Sequence, residues 1–278
     1  MKIIAGLIAS LLVTLVFSVC LSLVMSRTIL HGDYLSKELK SAQVYPKLAT
    51  AAGVLVAHQS EGQITPEAVE ALIHKHLPED IFQARAGTWL TELEKHMKEN
   101  AAAPAFSLPE LTAMAHDLGI DLPKNTIPQS FSLPAQTDEK ITQNYQKVAR
   151  TQQWLYIVAG GLFLLLFLIS VTTRSYGSLV YLFFASAALQ GLMFAALRFG
   201  PNYLVAFIPK GEPGMEPIIE SLASVFYKVL SDMAIQFAII AIVFLVVGFV
   251  ILGLSLVSHA RQENEKRATH RRTSSDEA

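Results

Sequence analysis

The chain has 278 residues, of which 52% are hydrophobic and 16% are charged, and its formal net charge is −1. The charged share is well below the roughly 25% found in soluble domains, which excludes an ordinary soluble protein. A near-neutral charge balance gives no electrostatic reason to expect nucleic acid as a partner, and the single cysteine, Cys20, excludes an intrachain disulfide.

Four charge-free segments contain the excess of apolar residues. They comprise residues 3–26, 154–173, 178–197 and 233–258, and each holds at least 20 residues. A helix of about 20 residues, rising about 1.5 Å per residue, crosses a hydrocarbon core of about 30 Å. Backbone amides in lipid must be satisfied within their own segment. We therefore predict an all-α integral membrane protein with four transmembrane helices plus a small helical extracytoplasmic domain.

The first segment, predicted as transmembrane helix 1 over residues 1–26, also has features of a secretory signal peptide, because Lys2 precedes its apolar run. The run is longer than the usual apolar region of about 7 to 15 residues, and no A-x-A-like cleavage site ends it. We therefore expect an uncleaved anchor, with a cleaved leader as the alternative.

Basic residues in the short flanks of the four segments set the expected orientation. Seven lie in flanks that face the cytoplasm if both termini are inside, against three in the connection over residues 198–232. The seven are Lys2, Arg174, Arg261, Lys266, Arg267, Arg271 and Arg272, and the three are Arg198, Lys210 and Lys228. This asymmetry predicts a multi-pass plasma-membrane protein with cytoplasmic termini and with residues 27–153 extracytoplasmic. The scarcity of cysteine and of typical eukaryotic loop features favours a bacterial membrane.

Residues 27–153 have apolar side chains at helical spacing in three stretches, which predicts a small domain of four or five helices. Thr65-Pro66-Glu67 offers an N-cap, a proline at the first helical position and an acid in the first turn. Pro78 ends that helix. No alternation typical of β-strands is present in these residues.

Three further signals lie towards the end of this predicted domain. Ser107-Leu108-Pro109-Glu110 is a capping-box pattern, which predicts a short helix that ends at Gly119. Three prolines between Gly119 and Gln136 predict an extended segment. Thr137-Asp138-Glu139 is a helix cap, and the helix that it opens can continue directly into the second apolar segment, residues 154–173.

An order of aromatic and apolar residues runs through the first part of this domain, at Asp33-Tyr34, Leu39, Val44-Tyr45, Leu48, Leu77-Pro78, Trp89-Leu90 and Leu93. This order resembles the extracytoplasmic insert of uncharacterised bacterial four-pass membrane proteins. The resemblance implies a helical insert between the first two spans. It implies no activity.

Candidate catalytic and metal-binding residues form no recognised pattern in the sequence. His74 and His76 are the densest histidine pair, but residues two apart on a helix point about 200° apart and cannot share a metal ion as an i, i+4 pair can. The GxSxG, SxxK, GxGxxG, Walker and HExxH motifs are absent. We therefore expect no catalytic residue, no metal site and no cofactor.

The four apolar segments contain no Asp, Glu, Lys, Arg or His, the residues that proton relays and ion pumps place at mid-depth. Two intramembrane polar residues, Gln190 and Gln236, have two interpretations. Each forms an interhelical hydrogen bond, worth about 0.6 to 2 kcal/mol, or lines a polar pathway. We favour the hydrogen bond.

A ridge of small residues recurs every four positions in the first segment, at Gly6, Ser10, Thr14, Ser18 and Ser22. Such spacing lets helix backbones approach closely. It predicts a helix-packing face inside the bundle or a docking face for another membrane subunit.

The connection over residues 198–232 and the tail over residues 259–278 lie outside the four segments. Arg198 and Asp232 are a candidate ion pair at the outer boundary, and the polar tail is typical of a disordered cytoplasmic segment. In the connection, Pro217 opens a predicted amphipathic helix, which either lies on the membrane, packs under the domain or extends the fourth span. Its apolar side contains Ile219, Leu222, Phe226, Val229 and Leu230.

These observations favour a non-enzymatic, membrane-anchored interaction or assembly protein that acts through its extracytoplasmic helical domain. Its expected partners are membrane lipids and another membrane or envelope protein, with a homo-oligomer as a further option. The alternative is a channel or carrier subunit for neutral or lipidic solutes, for which Gln190 and Gln236 would supply polar contacts. An enzyme is the third option, and the missing motifs disfavour it.

Overall fold

A computed structural model describes the chain over residues 2–59, 64–99, 101–119, 130–132, 134–173, 175–200 and 216–276. Within these ranges the chain is almost entirely helical, which confirms the all-α prediction. The helices are α1 (Lys2–Arg27), α2 (Gly32–Ser41), α3 (Val44–Gln59), α4 (Pro66–His76), α5 (Glu79–Glu99), α6 (Glu110–Asp117), α7 (Ala135–Thr172), α8 (Gly177–Phe199) and α9 (Glu216–Asp276).

Four of these helices are long and apolar enough to cross a membrane. The stretches are Ile3–Arg27 in α1, Asp138–Thr172 in α7, Gly177–Phe199 in α8 and Ile218–Ala260 in α9. Each contains one of the four charge-free segments, because an uninterrupted apolar run without proline favours a single helix. The four predicted spans are therefore confirmed as helices of sufficient length and hydropathy.

The chain divides into two compact units. The span unit comprises Met1–Val24, Thr151–Ala196 and Ala234–Ala278, and the helical domain comprises Met25–Arg150 and Leu197–Met233. The helices α7 and α9 each contribute residues to both units.

Packing in the span unit uses one face of α1. Ala5, Ala9 and Leu12 are buried there and belong to one apolar cluster with Leu166 of α7 and with two leucines of α8. The opposite surfaces of the helices expose large apolar side chains, among them Ile242, Val246 and Phe249 of α9. Extended apolar surfaces of this kind are avoided by soluble monomers and suit a lipid environment.

The core of the helical domain lies between α3, α4 and α6. Its buried members are Tyr45, Ala49, Val69, Ile73 and Met114. The Tyr45 hydroxyl donates a hydrogen bond to the Leu77 carbonyl at the end of α4. An aromatic ring thus fills the core while its hydroxyl is satisfied by a carbonyl at the end of a helix.

The predicted start of α4 is confirmed. Thr65 is the N-cap, and its Oγ1 accepts a hydrogen bond from the Ala68 N–H at 3.3 Å, with Pro66 as the first helical residue. Proline costs nothing at that position because the first-turn N–H has no helical partner. Gly119 has a φ of +71° just beyond α6, as the predicted helix end requires.

The capping-box prediction at Ser107 is wrong. Ser107 ends a short strand, β1 (Ala105–Ser107), which pairs antiparallel with β2 (Ser130–Ser132), and α6 begins at Glu110 without a side-chain cap. The expectation that residues 27–153 contain no strand is also wrong, because β1 and β2 pair. Strands of three residues are too short to show alternation, and only a distant partner segment reveals them. Residues 120–129 of the predicted extended segment lie outside the described residues.

The long helices differ in part from the expectation. α7 continues from Ala135 to Thr172, as predicted. α9 begins at Glu216, so the predicted amphipathic helix is its first part and extends the fourth apolar segment. Its buried side chains include Val225 and Val229, whereas Leu222 and Phe226 of the predicted apolar side are exposed.

The tail over residues 259–278 was expected to be disordered, but α9 continues to Asp276. The tail is rich in Arg, Gln, Glu and Lys, which are good helix formers. Extending an existing helix avoids the cost of nucleating a new one.

A close backbone contact of the helical domain joins α2 to α5. A Cβ added to Gly32 would lie 2.8 Å from the Leu90 carbonyl carbon and oxygen and 2.9 Å from the Thr91 nitrogen. Backbone atoms cannot move aside as a flexible side chain can. Glycine is therefore required where α2 begins.

We expect Gly32→Ala to destabilise the helical domain by about 1–3 kcal/mol, the usual cost of overpacking. Thermal unfolding of the full chain in mild detergent, followed by circular dichroism, measures the effect. Gly191→Ala in α8 is the matched control, because no heavy atom lies within 4 Å of its added Cβ. Equal stability of the two variants would contradict the close contact at Gly32.

Candidate functional site: a charged cleft in the helical domain

Helices α2 and α5 run antiparallel and are joined at one end. Gly32 at the start of α2 lies against Leu90 in the second half of α5, while Ser36 lies against Gly87, one turn closer to the start of α5. The Gly32 N–H donates to Glu94 Oε2 at 2.7 Å, and Thr91 Oγ1 donates to Asp33 Oδ1 at 3.3 Å. These contacts fix the register of the two helices.

Glu94 is the main polar contact of this junction. Its Oε2 also lies 3.3 Å from His31 Nδ1, and its Oε1 accepts from Lys98. Burial alone would raise the pKa of Glu94, but the hydrogen bonds from Lys98, the Gly32 N–H and His31 outweigh it and hold this pKa below its usual value. An ionised carboxylate at the N-terminus of α2 also complements the helix dipole.

A cleft of about 830 Å³ opens between the same two helices. One wall is the polar face of α2 and the other is the first two turns of α5. The lining residues are Asp33, Ser36, Lys37 and Lys40 from α2, and Glu79, Asp80, Gln83 and Ala84 from α5. The volume lies within the range of about 300 to 1,000 Å³ that is typical of ligand pockets.

The two walls of the cleft differ in charge: α2 contributes two lysines and Asp33, whereas the charged residues of α5 are both acidic. Lys37 and Lys40 lie on α2, and Glu79 and Asp80 lie on α5. Among the residues that the structure describes, no ion pair within 4.0 Å joins these lysines to these carboxylates. Glu79 accepts a hydrogen bond from Gln83, but no ion pair across the cleft prevents the four charged groups from binding opposite charges on another molecule.

An apolar recess of about 90 Å³ adjoins the cleft and shares Ser36, Lys40 and Gln83 with it. Its apolar lining consists of Leu39, Val44, Tyr45, Phe82 and Ala86. The Tyr45 and Phe82 rings are in contact, with centroids 5.2 Å apart. The site thus combines charged walls with one small apolar recess.

His96 forms a buried polar cluster in the helical domain. Its Nδ1 donates to the Ala101 carbonyl, and its Nε2 lies 3.0 Å from Asp138 Oδ1 and 3.1 Å from Thr142 Oγ1. In a catalytic triad the carboxylate and the nucleophile contact different ring nitrogens. Here both contact Nε2, so the ring cannot relay a proton between them, and the cluster joins α5 to α7.

The predicted histidine pair is divided between two contacts. His74 Nδ1 lies 3.4 Å from the Tyr45 hydroxyl, whereas His76 Nε2 lies 2.8 Å from Asp117 Oδ2 on α6. Lys75 Nζ also donates to Asp117, at 2.7 Å. No group of three metal-ligating side chains occurs in the part of the chain that the structure describes.

Gln190 is fully buried on α8, and neither atom of its amide has a hydrogen-bond partner among the described residues. The interhelical hydrogen bond that we favoured is thus not formed, because the buried face of α8 around Gln190 consists mainly of leucine and alanine, including Leu182 and Ala187. Ser186, one turn earlier, is also buried without a partner, and Gln236 is half-buried.

The small-residue ridge of α1 does not coincide with the face that packs in the span unit. That face is formed by Ala5, Ala9 and Leu12. The ridge contains two exposed residues, Ser10 and Thr14, and three half-buried ones, Gly6, Ser18 and Ser22. At Ser10 and Thr14 the ridge is therefore exposed and packs against no other described residue of the span unit.

Arg198 and Asp232 have separate partners. Arg198 Nη1 donates to Ser231 Oγ at 3.2 Å. Asp232 instead accepts from the Tyr34 hydroxyl at 2.8 Å and from Lys228 at 2.9 Å. Burial and the adjacent Asp232 carboxylate raise the pKa of Tyr34, so this hydroxyl remains a donor and ties α2 to α9 within the helical domain.

Sequence reasoning missed the cleft residues. Asp33, Ser36, Lys37 and Lys40 follow the spacing of one helix face, which by itself indicates only a solvated surface. Glu79 and Asp80 resemble ordinary first-turn acids. No local signal shows that the two groups face each other.

No protein-family model, curated protein or solved structure matches the chain. The resemblance to four-pass membrane proteins with a helical insert therefore stays a prediction, and the site must be interpreted from its own geometry.

Asp117 generates a prediction about acid stability. Hydrogen bonds from Lys75 and His76 lower the pKa of Asp117 to about 2, whereas an unfolded Asp has a pKa of about 3.9. The ionised carboxylate therefore stabilises the fold above about pH 4, and this contribution is lost as the pH falls towards 2. We expect Asp117→Asn to be less stable than wild type at pH 7 and the difference to vanish near pH 2.

Thermal unfolding in detergent across this pH range measures the difference. Glu92→Gln is the control, because Glu92 is exposed on α5 and its substitution removes a carboxylate of the same charge. A wild-type advantage that persists unchanged at pH 2 would refute the stabilising role of the Asp117 carboxylate.

Proposed function

We propose that the chain is a four-pass membrane protein and that it acts as a non-enzymatic interaction or assembly protein through its helical domain. The observation that carries this proposal is the open cleft between α2 and α5, with unpaired charges of both signs on a domain that has its own core. Charged groups left accessible on a packed helical surface are suited to recognition, since a partner can pair with them without disturbing the fold.

The orientation belongs to the same proposal. The excess of Lys and Arg in the flanks of one side favours cytoplasmic termini and an extracytoplasmic helical domain, and the scarcity of cysteine favours a bacterial plasma membrane. The accessible ridge of α1 supports a second contact, with another membrane subunit or a second copy, because small residues permit close helix approach. Membrane lipids would cover the remaining apolar surface.

The arrangement of polar side chains supports a binding role over catalysis. His96 cannot act as a relay in its observed geometry, because Asp138 and Thr142 contact the same ring nitrogen. Its contacts hold helices together. The lysines and carboxylates of the cleft, by contrast, are accessible on the surface.

Photo-crosslinking in the native membrane tests the binding role. We expect the full chain with Gln83→p-benzoylphenylalanine in the cleft to form a stoichiometric adduct with one protein, which also copurifies with the wild type in mild detergent. The control is Leu256→p-benzoylphenylalanine on α9, where a 63% exposed apolar side chain should give lipid adducts. If the cleft position forms no protein adduct and the wild type copurifies with lipid alone, the proposal fails.

A channel or carrier subunit is the second candidate, and the unpartnered amide of Gln190 favours it. A polar pathway through the span unit would need such groups. The amide of Gln190 has no exposed surface, however. The interaction role therefore has the stronger support.

Gln190→Leu separates the two candidates. If no solute uses this amide, we expect the substitution to stabilise the protein by about 1–3 kcal/mol, the penalty of an unsatisfied buried polar group, with no glycerol flux in proteoliposomes of either form. Detergent unfolding and vesicle light scattering measure these quantities, with Gln236→Leu as the half-buried control. Glycerol flux that the wild type supports and Gln190→Leu abolishes would favour the channel instead.

A further inference from the structure

The cleft between α2 and α5 has three recognition elements in one place. Lys37 and Lys40 supply cations on one wall, and Glu79 and Asp80 supply anions on the other. The apolar recess is the third element, and it shares Ser36, Lys40 and Gln83 with the cleft. A ligand that satisfies all three must carry both charges and a small apolar group.

We infer that the cleft binds a short peptide segment of a partner protein, in which a basic and an acidic side chain flank a small aliphatic one. This inference rests on the proposed function, because it assigns the partner chemistry to the same surface. The acidic side chain pairs with Lys37 and Lys40, and the basic side chain pairs with Glu79 and Asp80. The aliphatic side chain enters the recess.

The dimensions favour a peptide over a single zwitterion. The lysines, the carboxylates and the recess come from different turns of two helices, so a ligand with several side chains can contact all three. The recess is the smaller of the two volumes, at about 90 Å³. Its apolar lining favours an aliphatic side chain such as valine.

The charges favour a segment of mixed sign over a purely acidic or basic one. An anionic segment would pair with the lysines but repel Glu79 and Asp80, and a cationic segment would do the reverse. Gln83 donates to Glu79 Oε1 at 2.6 Å, which leaves the second oxygen of that carboxylate available for a cation. Each ion pair at an exposed site contributes only a small free energy of binding. Selectivity therefore depends on pairing with both walls together.

Fluorescence anisotropy with the full chain in detergent tests this inference. The probes are fluorescein-labelled peptides of sequence KAVAE and EAVAK, which cover both chain directions, and their ends are blocked. We expect at least one of the two to bind. QAVAQ should bind at least tenfold more weakly, and KAGAE or EAGAK should bind more weakly than its valine counterpart because glycine leaves the recess empty. Free leucine and phosphatidylethanolamine vesicles serve as competitors and should not displace the peptide.

Charge reversal provides the sharpest readout. The variant Lys37→Glu/Lys40→Glu should bind the mixed-charge peptide about tenfold more weakly, which corresponds to about 1.4 kcal/mol. The same variant, with two acidic walls, should bind KAVAK more tightly than the wild type does. Lys95→Glu, exposed elsewhere on α5, is the matched control and should change neither preference. A merely unfolded variant cannot gain affinity for KAVAK.

Filling the recess tests the third element. Ala86→Leu should abolish the preference for valine over glycine in the peptide while leaving the charge preference intact. Binding of no mixed-charge peptide, or displacement by leucine or by vesicles, overturns the inference. In that case a copurifying protein that crosslinks from the cleft position would still support the interaction role, whereas its absence would remove both proposals.

Discussion

The junction of α2 and α5 at Glu94 determines the geometry of the helical domain. One carboxylate satisfies the first backbone N–H of α2 and contacts both His31 and Lys98, while Gly32 allows the backbones to touch. An isolated helix of 10 residues such as α2 is marginal in water. The cap and the close contact therefore do more than position α2. They supply stability that a helix of this length lacks by itself. The same contact fixes the relative position of α2 and α5, the two walls of the cleft.

Long apolar runs could be predicted from the sequence, because their signal is local. Twenty or more residues without a charge specify a helix in any tertiary context, and the Thr65-Pro66 start of α4 depends on neighbours three residues away. Ser107 fails as a cap because its backbone pairs with Ser130, a segment more than 20 residues distant. The cleft could not be predicted for the same reason, since its walls lie about 40 residues apart in the chain.

In the first apolar helix, α1, the spacing of small residues does not identify the buried face. Gly6, Ser10 and Thr14 repeat at the spacing of a packing face, yet Ala5, Ala9 and Leu12 form the face that is buried. The two faces are offset by one residue, about 100° around the helix, and alanine packs as closely as serine. Composition alone cannot choose between them. The choice depends on the shapes of α7 and α8, which the sequence of α1 does not contain.

Buried polar groups are treated differently in the two units. In the helical domain, His96 has a partner at each ring nitrogen, so its burial costs little and it holds α5 against α7. In the span unit, Gln190 is buried with no partner among the residues that the structure describes, and an unsatisfied amide is most costly where water is excluded. Selection for packing alone would replace such a residue with leucine. The stability and flux of Gln190→Leu measure whether this amide is only an unsatisfied buried group or is used by a solute.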